Sequence, residues 1–341
     1  MKIILHVGPP KTGSTTIQAF MRKNKDTLLD KGVLALADRE MPRKLSFFFK
    51  KGTSLTQWAK RKQLDQPKHM QALRQDTERY LRSQIRKHKP DMLLLSSEGL
   101  SRTPADDMAN MRDYLRSIAS DTRVLVFLRR PDFRVLSTYK NMVRNKGFTG
   151  NVSSLIGEKY DDSKAIGNLS DCFGADRIIP VICKDSHPDR VNADGHIEAL
   201  LKILFKEADV TPGDFTLPER KNIAWDYRAV YFMREFNRVA DKHPEFEKHR
   251  LPVARLLQEH FSGGEKLRIR KADAEAIVAH YQAGWEDIRQ RYFPDQDTLF
   301  HMDFSMYKED TSSQTFGAEE AVFVSLVLIE SFLKDRKHKP A

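Results

Sequence analysis

The strongest constraint on the fold lies in the first two dozen residues. Lys2–Val7 is a nearly unbroken apolar run of strand length. It stops at Gly8, passes through Pro9, Pro10, Lys11, Thr12 and Gly13, and gives way to helical spacing at Ile17, Phe20 and Met21. A strand that ends in glycine and turns straight into a helix start makes an anion site. The first-turn amides have no intrahelical partner, and the positive end of the helix dipole adds to them. Lys11 supplies a full charge, and Ser14, Thr15 and Thr16 supply hydroxyl donors.

Short buried strands alternating with helices continue this pattern. Met92–Ser96 and Val124–Leu128 read as parallel strands covered on both faces, and 177–183 as a further strand that Pro180 restricts to an edge or an end. Helical spacing fills 71–87, 105–120, 133–145 and 196–207. From about 224 the chain turns to long helical patterns over 224–241, 272–292 and 318–334. The expected fold is α/β: a P-loop-like three-layer arrangement around a central parallel sheet, with a helical insertion and a C-terminal helical cap. One domain is expected over 1–341, with its core in 1–215, a basic insertion at about 43–89 and the cap at about 224–341.

The chain carries a formal charge of +11, which favours anionic partners without choosing among nucleotide, nucleic acid, acidic glycan and membrane surface. Its two cysteines, Cys172 and Cys183, form no CxxC or zinc-type cluster, which argues against a disulfide framework and fits a reducing compartment. No apolar stretch approaches the ~20 residues that span a bilayer. A cytoplasmic location is expected, with peripheral membrane contact left open.

Gly8 and Gly13 have the separation of the G-x-x-x-x-G-K-[ST] phosphate loop, but Ser14 stands where that motif has its lysine. The lysine lies three residues earlier, at Lys11. His6–Gln18 (HVGPPKTGSTTIQ) resembles instead the 5′-phosphosulfate loop of sulfotransferases that use 3′-phosphoadenosine 5′-phosphosulfate (PAPS). It is especially similar to the Gly-Pro-x-Lys-Thr-Gly-Thr-Thr form of those acting on heparan-type glycans. The resemblance implies that Pro10, Lys11, Thr12, Gly13, Ser14, Thr15 and Thr16 bind PAPS, and that no metal is required. That family's 3′-phosphate signature is a strand ending in Arg-x-Pro, with a serine eight residues after the arginine. Arg129-Arg130-Pro131 and Ser137 match it. An arginine fork suits a phosphate better than a lysine does. Of the neighbouring arginines, Arg134 is expected at the surface.

Glu98 follows the Met92–Ser96 strand at the sheet edge where open α/β folds bind ligands. Cytosolic sulfotransferases end this strand in Lys-Thr-His, so the resemblance implies that Glu98 replaces the histidine base and Ser96 the lysine. Lys11 is then the main cation at the transferring group. Arg220 and Lys221 correspond loosely to the family's late basic loop. The adenine-stacking tryptophan of the cytosolic branch has no counterpart, since Thr16 occupies its place. His6 is expected to play a structural part, and Trp225, Trp285 and Tyr292 to be core.

The implied reaction moves a sulfuryl group from PAPS to a hydroxyl or amine by in-line displacement, leaving adenosine 3′,5′-bisphosphate (PAP). The implied acceptor is a carbohydrate or glycan, with a lipid head group as alternative. Residues 43–89 hold fourteen Lys and Arg against three acids. This stretch reads either as a solvated helical face or as a basic wall for an anionic acceptor, with Phe47, Phe48, Phe49 and Trp58 available for sugar or lipid. Two other classes compete. A nucleotide kinase requires Lys-[ST] after Gly13 and an acidic magnesium ligand at a strand end, and the first of these is missing. A nucleic-acid module resting on the basic stretch has no reading motif, so no specific nucleic-acid partner is expected.

Overall fold

The computed structural model describes residues 1–51, 56–157, 161–183, 192–205, 212–219, 224–312 and 314–337. Five parallel strands form one sheet: β1 (Lys2–His6), β2 (Val33–Ala35), β3 (Met92–Ser96), β4 (Asp121–Leu128) and β5 (Ile178–Ile182). Their spatial order is β2-β3-β1-β4-β5. Pro180 lies in β5, an edge strand, where the ladder bond it cannot donate is not missed. β2 went unrecognised in the sequence because three residues carry no periodicity.

The alternation of side chains along the strands sorts the helices into two layers. Ile3, Leu5, Leu93, Leu95, Val124 and Val126 pack with α3 (Met41–Phe49), α6 (Ala105–Ile118), α7 (Pro131–Lys146) and α8 (Asp162–Phe173). Ile4, Leu94, Leu125 and Phe127 pack with α1 (Ser14–Lys23), α2 (Lys25–Asp30) and α9 (Ala193–Phe205). The α/β three-layer expectation is met. Helices α10 (Tyr227–Lys242), α11 (Arg250–His260) and α12 (Lys271–Tyr292) pack against α7, and α13 (Ala318–Lys337) lies on α10 and α11. Among the described residues, no helix is long and apolar enough to cross a membrane.

The basic stretch folds as α3, α4 (Gln57–Arg61) and α5 (Pro67–His88). Phe47, Phe49 and Trp58 are buried and do not form the stacking surface that one of the two sequence readings offered. Phe47 and Trp58 are buried with ring centroids 5.6 Å apart, and they close a small core with Ala59 and Leu64. The Trp58 indole donates to Glu40 Oε1 at 3.1 Å. Phe49 is buried in the main core, and the half-buried Phe48 meets Tyr114 edge-on at 4.9 Å. Lys50 and Arg74 turn inward onto the carbonyls of Arg102, Phe47 and Lys50.

β1 sits at the centre of the sheet, and His6 is level with Ser96 of β3 and Leu125 of β4. The chain leaves β1 toward β2 on one side, and leaves β4 toward β5 on the other. A crevice opens at such a reversal, outside the carboxyl ends of the strands. The segments following β1, β3 and β4 carry Lys11, Glu98 and Arg129 to that edge.

Candidate functional site

The loop after β1 is built for close approach. Val7 N still bonds Leu125 O at 2.9 Å, so Gly8 leaves the sheet in a fixed position. A side chain at Gly8 would collide with Ser14 Oγ and lie 3.1 Å from His6 Nε2. Thr12 Oγ1 donates to Pro9 O at 2.8 Å and folds the loop onto itself. Gly13 caps α1 at φ 88°, a left-handed conformation that glycine adopts without a steric penalty. Its carbonyl accepts from Thr16 N at 2.9 Å, while the amides of Gly13, Ser14 and Thr15 find no partner among the described residues. Ser14 Oγ is buried and likewise has no partner among the described residues. A buried orphan hydroxyl is costly unless a ligand completes it. Thr15 is exposed, whereas Pro10 and Thr16 are half-buried.

Lys11 has φ 73°, a left-handed conformation that costs a non-glycine residue about 1–3 kcal/mol. Its carbonyl accepts a 3.0 Å hydrogen bond from Arg129 Nη1. Arg129 is one of the largest fully buried side chains in the protein. Burial lowers the Lys11 pKa; Glu98 pushes it back up, and Arg129 and Arg144 push it further down. Glu98 starts a short 3₁₀ turn directly after β3. Burial raises its carboxyl above the usual range, and the Lys11 charge partly offsets this. Lys11, Glu98 and Arg129 therefore share one electrostatic environment. Ser137 lies on α7, six residues beyond its first residue, Pro131, and is partly exposed. Arg220 and Lys221 lie outside the described residues.

The two arginines next to the Arg129 motif are structural. Arg130 is buried and forms a fork on Asp132, with bonds of 2.8 and 2.7 Å. It also donates to the carbonyls of His301 and Asp303 at 3.0 and 2.7 Å. Tyr307 donates to the same Asp132 at 2.7 Å. Arg134 is not at the surface as expected: it is buried and pairs with buried Asp162 at 2.5 Å. His6 is buried, its Nδ1 lying 2.9 Å from Ser96 Oγ. Burial, with a smaller contribution from His196, pushes its pKa down to about 3. Ser96 Oγ also accepts from Gln18 Nε2 at 3.3 Å.

Sequence reasoning missed Arg144, the second cation, after Arg129, whose charge reaches Lys11. It lies on α7 two turns beyond Ser137, half-buried, with its guanidinium 4.9 Å over the Trp225 ring. Its Nη1 donates to Gln258 Oε1 at 2.7 Å, and the Trp225 indole donates to the same oxygen at 2.9 Å. Arg144 has no acidic partner among the described residues. The one available signal was its place directly after Val143 on a helix already assigned to the site.

No protein-family model matches this chain, and no curated protein matches it. Among solved structures it is similar to the crystal structure of a sulfotransferase from Alicyclobacillus acidocaldarius. The two are 15% identical, and the match covers 73% of this chain and 94% of the other at a TM-score of 0.40.

Proposed function

We propose that this protein is a PAPS-dependent sulfotransferase that transfers a sulfuryl group to a hydroxyl or amine of an anionic or polar acceptor, a carbohydrate or glycan foremost. One observation carries the reading: the hydrogen bond from buried Arg129 to the Lys11 carbonyl. It joins the two motifs that resemble the family's 5′- and 3′-phosphate elements, across 118 residues of sequence. The orphan Ser14 Oγ and the narrow space at Gly8 fit a phosphosulfate laid against the loop.

In this reading the Gly13, Ser14 and Thr15 amides and the Lys11 ammonium receive the 5′-phosphosulfate. Arg129 and Ser137 hold the 3′-phosphate. Glu98 takes the proton from the acceptor hydroxyl as its oxygen attacks sulfur from the side opposite the leaving phosphate. The sulfur–oxygen bond to the 5′-phosphate breaks and PAP departs. Lys11 and the loop amides stabilise the charge that develops on the bridging oxygen. No step calls for a metal, and the free thiols Cys172 and Cys183 suit a cytoplasmic setting.

Thermal unfolding with PAP, ATP–Mg²⁺ and an oligonucleotide separates this function from its competitors. Stabilisation by the bisphosphate alone, about 2.7 kcal/mol at a hundredfold excess over Kd, is the expected result. Stabilisation by ATP–Mg²⁺ alone points to phosphoryl transfer, and salt-sensitive stabilisation by the oligonucleotide points to nucleic-acid binding. Lys11→Ala is expected to lower turnover by about 10²–10³, the usual loss for a preorganised charge-stabilising donor. A product heavier by SO₃, sought by mass spectrometry across glycans and lipids, identifies the acceptor.

A further inference from the structure

Two buried polar atoms without a partner among the described residues, His6 Nε2 and Ser14 Oγ, face the same small space. Gly8 lies between them. A side chain there would meet both atoms, so they border a volume that only glycine leaves open. The hydrogen bonds on the far side of the imidazole decide which nitrogen carries its proton. Gln18 Nε2 donates to Ser96 Oγ at 3.3 Å, and His6 Nδ1 lies 2.9 Å from the same oxygen. Of these two neighbours only Nδ1 can accept the Ser96 proton, since the Gln18 nitrogen is a donor alone. Nδ1 is therefore the bare nitrogen, and Nε2 carries an N–H toward Gly8. Phe127 holds the ring edge-on, with centroids 5.5 Å apart. Burial pushes the His6 pKa down to about 3, so the ring keeps this one proton at neutral pH.

Ser14 Oγ is the acceptor that suits this N–H. Thr12 Oγ1 also borders Gly8, but its proton already goes to Pro9 O, so it has none to pass on. A hydroxyl accepts on its lone pairs and donates its single proton elsewhere. With Nε2–H on its Gly8 side, Ser14 must turn its own proton away from Gly8, toward whatever lies against the loop. We propose that His6 is a positioning residue for the donor: its Nε2–H donates to Ser14 Oγ once the donor is seated, and so commits the Ser14 proton to the 5′-phosphosulfate. The chain Gln18–Ser96–His6–Ser14 then starts and ends on α1, passing through β3 and β1, and each of its hydroxyls accepts once and donates once. No bond is broken and no net proton moves. The inference rests on the sulfotransferase reading and adds to it a part for two residues beneath the loop.

Heteronuclear NMR of the imidazole nitrogens in the PAP complex of the full chain reads the tautomer. A protonated Nε2 with a bare Nδ1 is expected, and a protonated Nδ1 overturns the proposal whether or not any variant folds. A double-mutant cycle reads the coupling. His6→Asn keeps an amide beside Ser96 but is too short to reach Ser14, and Ser14→Ala removes the hydroxyl. Each is expected to weaken PAP binding about tenfold by isothermal titration. The two together should cost no more than either alone, as for residues that act as one unit. Losses that multiply, to about a hundredfold for the pair, mean that His6 does not act through Ser14 and overturn the proposal. Adenosine 3′-monophosphate, which has no 5′-phosphate, should bind His6→Asn as it binds wild type, and an equal loss with this ligand also overturns it. Wild type that fails to bind PAP overturns the sulfotransferase reading together with this inference. Wild type that binds PAP without coupling between His6 and Ser14 overturns the positioning role alone.

Discussion

The Arg129 guanidinium donates a 3.0 Å hydrogen bond to the carbonyl of Lys11, the residue that holds the loop after β1 in a left-handed conformation. A buried arginine thus supports the backbone of the residue whose ammonium the proposed chemistry needs. Arg129→Lys keeps the charge but loses the planar fork that can serve a carbonyl and a phosphate together. Arg129→Lys is expected to weaken PAP binding by tenfold or more, from ~1.5–3 kcal/mol for a hydrogen bond to a charged group. Isothermal titration with PAP checks this, and affinity equal to wild type contradicts the placement of the 3′-phosphate.

Glu98 supplies a pH dependence with a definite sign. Burial raises its pKa above the ordinary 4.5, with Lys11 opposing the rise. A base must be ionised to act, so kcat should fall as pH drops through this raised value, above the usual carboxylate range. Glu98→Gln should remove that acid limb and lower kcat by about 10²–10⁴, the usual contribution of a general base. Folding stability should move the other way. A carboxyl whose pKa is raised by folding binds its proton more tightly in the folded state, so its ionised form costs stability at neutral pH. Glu98→Gln should therefore unfold at the same temperature as wild type or a higher one. Activity lost together with stability would assign Glu98 a structural part instead.

How far the sequence could be read depended on whether a residue's partner lay nearby. β1, β3 and β4 were legible because unbroken apolar runs bounded by turns leave little choice but buried parallel strands, and Pro180 announced an edge. The loop from Gly8 to Ser14 was legible as a turn from a buried strand into a helix start, because neighbouring residues set that turn. Arg134 was misread: an arginine is rarely buried without a partner, and its partner Asp162 lies on the next long helix, out of sight of the local sequence. Phe47 and Trp58 were misread for the converse reason, since surrounding lysines and arginines hid a small core that becomes visible only when α3 and α4 fold together. Arg144 gave no signal because Trp225 and Gln258, which position it, come from segments far along the chain.

Arg144 separates the two halves of the site experimentally. It stands two turns beyond Ser137 on α7, yet its charge still lowers the Lys11 pKa. In the proposed reading, a cation there, past the position assigned to the 3′-phosphate, would face an anionic group on the acceptor. Arg144→Met keeps much of the stem packed over Trp225 while removing the charge. It should raise the acceptor KM by tenfold or more, from ~1.5–3 kcal/mol per charged hydrogen bond, with PAP affinity unchanged. Steady-state kinetics alongside PAP titration give both quantities. A fall in PAP affinity at constant acceptor KM would place Arg144 in the nucleotide site.

His6 makes an acid-stability prediction independent of the chemistry. Burial pushes its pKa from 6.5 down to about 3, so the folded protein keeps the ring neutral while the unfolded chain protonates it. Wherever the unfolded state binds more protons, stability rises with pH, so this residue's contribution is lost as pH falls from 6.5 toward 3. The loss has an upper slope of about 1.4 kcal/mol per pH unit. His6→Gln removes the titration while keeping a polar group beside Ser96. Urea denaturation at a series of pH values from neutral to mildly acidic should therefore show wild type losing stability faster than His6→Gln as pH falls. Parallel curves would mean that the ring takes up its proton without unfolding, through water reaching Nε2 from the Gly8 side of the loop.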